Sequence, residues 1–281
     1  MKVQNRAASY FFSEFDFPIR FLYSRFHLNK LFFWKLYTSN FERLDQKFEK
    51  INKILKKNGF NLKNKVCLEL GPGNSYINAY NFLMNGAKKV ILVDKFPRYI
   101  KTKKQKEYLK RELDYIKKKY NKKELSFVKG DSLNKEYIQL ITKDITNSGL
   151  KEKIDFVYSI SVFEHIKDVE GNIKQLSKIL KKGGLMCHSI DLRDHYNFNN
   201  PFLFYKYSKK TWEKYLTKEG VSYTNRIRYS EFKRLFKKYG FEIINEEIER
   251  FNIKKHSVSE EFNSNDKTLN VGKVGVLLRK K

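Results

Sequence analysis

The segment Glu69-Leu70-Gly71-Pro72-Gly73-Asn74-Ser75 joins a short apolar run to an amphipathic stretch. A turn of this kind lets a ligand approach the backbone at a strand's carboxyl end, where open α/β sheets bind their ligands. About twenty residues on, a second apolar run ends in Val93-Asp94, where a carboxylate can accept both hydroxyls of a ribose. A dinucleotide fingerprint needs a third glycine three residues after Gly73, and Tyr76 stands there. A phosphate-binding loop needs a Gly-Lys-Ser/Thr triplet, which does not follow the turn. Glu69 just ahead of the turn suits a cationic ammonium better than a pyrophosphate, so the expected ligand is a nucleoside with a positively charged tail.

Two further segments extend the pattern. Lys129-Gly130-Asp131-Ser132 offers an acceptor for an adenine amino group, and Ser159-Ile160-Ser161-Val162-Phe163-Glu164-His165 runs from an apolar stretch into a polar loop. The polar run His188-Ser189-Ile190-Asp191-Leu192-Arg193-Asp194-His195 closes the following stretch. His195 is the first candidate for general base, because an imidazole with a reference pKa of about 6.5 suits proton removal near neutrality. Asp191 or Asp194 could orient it, Arg193 could pair with an acidic substrate group, and His165 is the second candidate base. The alternative is a buried polar network that anchors the chain which follows. Asp191, Asp194 and His195 fall within five residues, a poor metal pattern, and no metal is expected.

These residues need a scaffold of alternating strands and helices. Strands are expected at 66–70, 90–94, 125–129, 154–159 and 184–191, with helices at 75–86, 99–120, 134–147 and 170–181. Another helix follows, with Tyr229, Phe232, Phe236 and Tyr239 on one face, and then two closing strands at 241–244 and 271–278. This order predicts a doubly wound, mostly parallel α/β sheet with a hairpin added at one edge. Ahead of it, Ser39 and Glu42 have capping-box spacing for a helix that carries Phe41, Leu44, Phe48, Ile51 and Leu55 and stops at Asn58-Gly59. Residues 1–59 read as an N-terminal helical cap and 60–281 as the main domain. The aromatic, basic stretch 1–38 packs as part of that cap or meets substrate or membrane headgroups. Residues 193–228 form an aromatic-rich insertion that either folds back as a lid or adds to the core, with Arg226 and Arg228 available to a sugar-like substrate.

Taken in order, Glu-Leu-Gly-Pro-Gly, the Asp94 strand end, Gly130-Asp131, Ser159-(x)4-Glu164-His165 and Lys181-Lys182-Gly183-Gly184 resemble the class I S-adenosylmethionine-dependent methyltransferases over residues 60–192. The resemblance implies a seven-stranded Rossmann-like sheet and S-adenosyl-L-methionine as cofactor. It implies that Glu69 and the backbone at Gly71 and Gly73 hold the methionine part, that Asp94 takes the ribose, that Asp131 and the Ser132 backbone take the adenine, and that Ser159 lines the cofactor beside the methyl group. The family's frequent third glycine is Ser75 here, and a serine can cap the following helix.

Composition limits the remaining readings. The chain has 281 residues, of which 41% are hydrophobic and 16% aromatic, so it can bury a sizeable core. No apolar run approaches the roughly twenty residues of a membrane span. The two cysteines, Cys67 and Cys187, read as buried thiols, which fits a cytoplasmic setting. Net charge is +28, with lysine outnumbering arginine about four to one, which reads mainly as solvated lysine but keeps RNA as a possible partner. The leading expectation is methyl transfer to a small-molecule or glycan-type acceptor, at oxygen. RNA methylation and a non-catalytic cofactor-binding module are the alternatives. Against RNA adenine chemistry, the fourth strand lacks an Asn/Asp-Pro-Pro-Tyr/Phe motif.

Overall fold

A computed structural model of the chain describes residues 17, 18, 21, 40–96, 102–129, 132–197, 199–217, 223–253, 258–262 and 265–281. The expectations placed on residues 1–38 and on Asp131 therefore lie, but for three positions, outside the described residues.

Helix α1 (Phe41–Lys57) turns Phe41, Phe48 and Leu55 inward. Its cap is Asn40, whose side chain accepts the Arg43 amide at 2.8 Å, so the first turn is closed one residue later than the Ser39 pattern suggests. After it come β1 (Val66–Leu70), α2 (Ile77–Met84), β2 (Lys89–Val93) and α3 (Lys103–Tyr120). A small hairpin follows, β3 (Val128–Lys129) with β4 (Ser132–Leu133), then β5 (Ile138–Ile141), β6 (Ile154–Ile160), α4 (Val169–Ile179) and β7 (Leu180–Asp191). The described residues of the insertion hold short helical turns, among them α5 (Lys209–Thr211), which runs into a π-turn at Trp212–Leu216, before α6 (Tyr229–Lys238), β8 (Phe241–Arg250) and β9 (Val271–Lys280).

Seven strands form one sheet in the order β5-β2-β1-β6-β7-β9-β8. All pairs are parallel except those of β9, which runs antiparallel to both β7 and β8. The order reverses between β1 and β6, the switch point at which doubly wound sheets open a crevice. Two layers of core cover the sheet. On one face Cys67, Val90, Leu92, Phe156 and Tyr158 pack against α1, α2 and α3; on the other Leu68, Ile91, Val157, Met186 and Ile190 pack against α4 and α6.

The third strand is a correction. Residues 125–129 do not enter the sheet: Leu125 and Phe127 are buried, and the Phe127 ring stacks on Tyr80 with centroids 5.3 Å apart. The edge position goes to Ile138–Ile141, where a helix was expected over 134–147. Both stretches are short and apolar, and periodicity cannot rank them. Pairing is decided in three dimensions, where the aromatic Phe127 fills the gap beside α2 and leaves Ile138–Ile141 to pair with β2.

Candidate active site

At the end of β1 the backbone turns through Gly71 and Gly73, with φ of +68° and +62°, a region that costs any residue with a Cβ. A Cβ on Gly71 would also lie 2.5 Å from Val162 Cγ2 in the loop after β6, so the first glycine keeps that loop against the turn. The Gly73 amide donates to Asp94 Oδ2 at 3.1 Å, and the Phe96 amide donates to Asp94 Oδ1 at 2.7 Å. Burial raises the Asp94 pKa against the pull of those two amides.

Glu69 is buried, with Oε1 accepting from Asn78 Nδ2 at 2.8 Å and Oε2 left without a partner. Burial pushes its carboxyl up to about 8, beyond what the Asn78 hydrogen bond restores. A buried carboxylate with one orphaned oxygen, beside a turn whose two glycines carry no Cβ, fits a cationic ammonium and a closely held nucleoside. Glu69, Gly71, Gly73 and Asp94 thus stand together at the carboxyl ends of β1 and β2. Ser132 stands exposed in the small hairpin, paired with Lys129.

Ser159 is placed differently from expectation. Glu69 is in register with Tyr158, so the next residue along β6 points to the opposite face of the sheet. There Ser159 is fully buried and shares a 2.8 Å hydrogen bond with His188 Nδ1, beneath Phe163 and Phe236. Its side chain belongs to the core, and only its backbone can face the crevice.

Beyond the crevice, the turn after β6 and the end of β7 bring Glu164, His165 and His195 together. One ligating atom from each of the three lies within 4.8 Å of the other two. The imidazole rings of His165 and His195 meet edge to face with centroids 4.9 Å apart. The carbonyl of Tyr223 can only accept, so the 2.6 Å bond from His165 Nδ1 places the proton on Nδ1 and leaves Nε2 with its lone pair. Burial, with His195 next, brings His165 down to about 4, so the ring is neutral at physiological pH. His195 Nε2 and Glu164 Oε2 are buried without a hydrogen-bond partner. Glu164 Oε1 accepts the Asp191 amide at 3.1 Å, and burial raises its carboxyl to about 8.

Asp191 does not orient His195. Its two oxygens accept from Arg193 Nε at 2.8 Å and a terminal Arg193 nitrogen at 2.7 Å, and this pairing outweighs burial and keeps the carboxyl below its ordinary range. Arg193 is in turn committed to Asp191 and to the Phe251 ring. Asp194 accepts the Tyr196 amide at 2.9 Å and shapes the turn.

The two arginines of the insertion are also a correction. Arg226 is 6% exposed, donates to the carbonyls of Phe204 and Tyr207 and lies over Trp212 and Phe262. Arg228, 7% exposed, donates to the Leu192 carbonyl and the Tyr205 hydroxyl. Buried guanidinium groups persist where carbonyls and aromatic faces satisfy them, and here they pin the aromatic cluster of Phe202, Phe204, Tyr205 and Trp212. The insertion grips the site from behind: Asn225 Nδ2 donates to the carbonyls of Phe163 and Ile166, and the Asn225 amide to that of Glu164. Sequence reasoning passed over Asn225, Asn78 and Glu164's own side chain. Only Glu164 had a signal, its place beside His165 in the polar loop.

A cavity of about 390 Å³ lies between α1 and strands β6, β7, β9 and β8, on the Glu69 face of the sheet, and is lined by Lys47, Ile51, Tyr158, Ile160 and Ser189 among others. Burial lowers the Lys47 pKa, aided by Arg43 and opposed by Asp191 and Glu164.

Fold and site together define a doubly wound α/β domain with a glycine turn and two carboxyls at the ends of β1 and β2. A family model described as a methyltransferase domain matches residues 41–246, and the chain belongs to that family. It is an S-adenosylmethionine-dependent methyltransferase of class I. Among solved structures, a proposed sarcosine dimethylglycine methyltransferase from Galdieria sulphuraria is similar at 14% identity and TM-score 0.50, over 84% of each chain. Magnesium protoporphyrin IX methyltransferase from Synechocystis PCC 6803, with bound SAH, is similar at 13% identity and TM-score 0.49, over 94% of this chain and 98% of that one. A proposed S-adenosylmethionine-dependent methyltransferase from Listeria monocytogenes is similar at 16% identity and TM-score 0.47, over 82% and 97%. Among curated proteins none matches the chain. Among the described residues no helix is long and apolar enough to cross a membrane.

Proposed function

We propose that the chain methylates a hydroxyl of a small-molecule or glycan-type acceptor. The observation that carries this reading is the pair of half-buried, touching imidazoles just beyond the ends of β6 and β7, where an acceptor hydroxyl would need a proton acceptor. S-adenosylmethionine, when bound, supplies a methyl group on a sulfonium that is its own leaving group. Glu69 would neutralise the ammonium of its amino-acid part, Asp94 the ribose hydroxyls, and the backbone at Gly71 and Gly73 would lie against it. Alignment and exclusion of water then fall to the protein. His195 Nε2, unpartnered and beside a neutral His165, would take the hydroxyl proton, a role worth about 10²–10⁴ in rate.

The test is incubation with methyl-labelled cofactor and separated metabolite, glycan and RNA fractions. Label in a metabolite or glycan, held as a methyl ether, agrees; label confined to RNA, to a carboxyl group as an ester, or to nitrogen or carbon, contradicts.

A further inference from the structure

We propose that Glu164, His165 and His195 form a binding site for one divalent transition-metal ion. The inference rests on the reading of this cluster as the acceptor side and changes the part of His195 within it from proton acceptor to ligand. Two imidazoles and a carboxylate are a donor set that divalent first-row metals accept, and three protein ligands leave positions open, as in catalytic rather than structural sites.

Four features of the structure support it. Ligating atoms from the three residues lie within 4.8 Å of one another. Ligands around an ion at about 2.1 Å sit roughly 3.0–3.5 Å apart, so closing the site takes a side-chain movement of about an ångström. The carboxylate oxygen Glu164 Oε2 and the imidazole nitrogen His195 Nε2 are both buried with no hydrogen bond, an expensive arrangement that coordination would relieve. Glu164 itself is 1% exposed. Finally, His165 gives its Nδ1 proton to the Tyr223 carbonyl and the Glu164 carboxylate accepts the Asp191 amide. Such outer contacts fix the tautomer and orientation of metal ligands. Three segments supply the three ligands and their supports: the turn after β6, the loop just beyond β7 and the returning segment of the insertion around Tyr223. A shared ion would hold them in one geometry.

With an ion bound, His195 is a ligand instead of the base. The acceptor hydroxyl would occupy an open position, become more acidic and lose its proton to water; its oxygen would then bond to the methyl carbon as the carbon–sulfur bond of the sulfonium breaks and S-adenosylhomocysteine leaves.

The test uses the full chain, stripped with chelator and dialysed, and titrated with Co²⁺ in the absence of any acceptor. Visible absorption bands should grow and saturate at one equivalent, and Zn²⁺ should displace them. Glu164→Gln and His195→Ala should each weaken Co²⁺ binding more than about 100-fold, beyond the cost of losing an outer partner. Binding of S-adenosylhomocysteine, measured on the same samples, should stay within about threefold of the parent, showing that the cofactor crevice is folded. Should His195→Ala lose that binding, His195→Gln, closer in size, replaces it. The absence of saturable one-equivalent binding in the parent, or binding unchanged in Glu164→Gln and the His195 variant, overturns the metal site. Methyl transfer to a hydroxyl that persists after chelation, without Co²⁺ binding, would retain the acceptor reading and discard the ion. Stoichiometric Co²⁺ binding with methyl transfer only to nitrogen or carbon would do the reverse.

Discussion

The amide of Gly73 donates to the Asp94 carboxylate at 3.1 Å and so ties the turn after β1 to the end of β2. One carboxylate therefore holds the glycine turn in place, and under the proposed reading its remaining lone pairs would receive a ribose. Asp94→Ala should lose both. Hydrogen bonds to a charged acceptor contribute about 1.5–3 kcal/mol each, so a rise in Kd for S-adenosylhomocysteine of at least roughly 100-fold is expected in calorimetry. Near-normal affinity would show that the ribose is held elsewhere.

If Glu69 meets the ammonium as proposed, cofactor binding is a proton-linked event. With its carboxyl raised to about 8 by burial, it is mostly protonated at pH 7 in the free protein. An arriving ammonium favours the ionised form, so binding of S-adenosylmethionine at pH 7 should release close to one proton. Calorimetry in phosphate and in Tris, whose ionisation enthalpies differ, reads this directly. Glu69→Gln should abolish the buffer dependence, and a parent protein without it would contradict the assignment.

The same buried carboxyls set the pH dependence of stability. Glu69 and Glu164 are both raised to about 8, so between their unfolded value near 4.5 and that point the folded state binds more protons than the unfolded state. Stability then falls as pH rises. His165 and His188, lowered to about 4 and about 3, act oppositely, but only below about 6.5 where the unfolded imidazoles charge. From pH 6.5 to 8 the two glutamates act without that opposition. Thermal melts of the chelated, cofactor-free protein should show a falling Tm across this window, with a limiting slope of about 1.4 kcal/mol per pH unit for each glutamate. Glu69→Gln should make it shallower. A Tm that rises between pH 6.5 and 8 would show that these carboxyls ionise normally.

Gly71 combines a positive φ with a Cβ position 2.5 Å from Val162 Cγ2. Gly71→Ala should cost about 1–2 kcal/mol for the backbone alone and more for displacing the loop that carries Glu164. Adding Val162→Ala removes the clashing methyls. The double variant should recover part of the lost cofactor affinity, leaving the backbone cost. A double variant no better than the single would place the damage in φ alone.

What the sequence disclosed follows from how local each signal is. The glycine turn, Glu69 and Asp94 were legible because strand, turn and helix must follow one another within a few residues, and spacing records that order. The orientation of Ser159 was hidden, because it depends on the register of β1 against β6, which spacing does not carry. The edge strand 138–141 was missed because Phe127 outcompetes it as an apolar signal while filling a gap beside α2. Arg226 and Arg228 read as substrate ligands because nothing in the chain showed that the carbonyls of Leu192, Phe204 and Tyr207 would surround them. Joining Glu164 and His165 to His195 required the fold, since thirty residues separate the two histidines.

The account depends on Glu69 and Asp94 facing one adenosyl ligand across the glycine turn. A crystal structure of the full chain grown with S-adenosylhomocysteine tests this most directly. The ligand's ammonium should contact Glu69 and its ribose hydroxyls Asp94, with the sulfur towards the His165–His195 pair. A ligand bound at another crevice, or one whose ribose leaves Asp94 untouched, would contradict it.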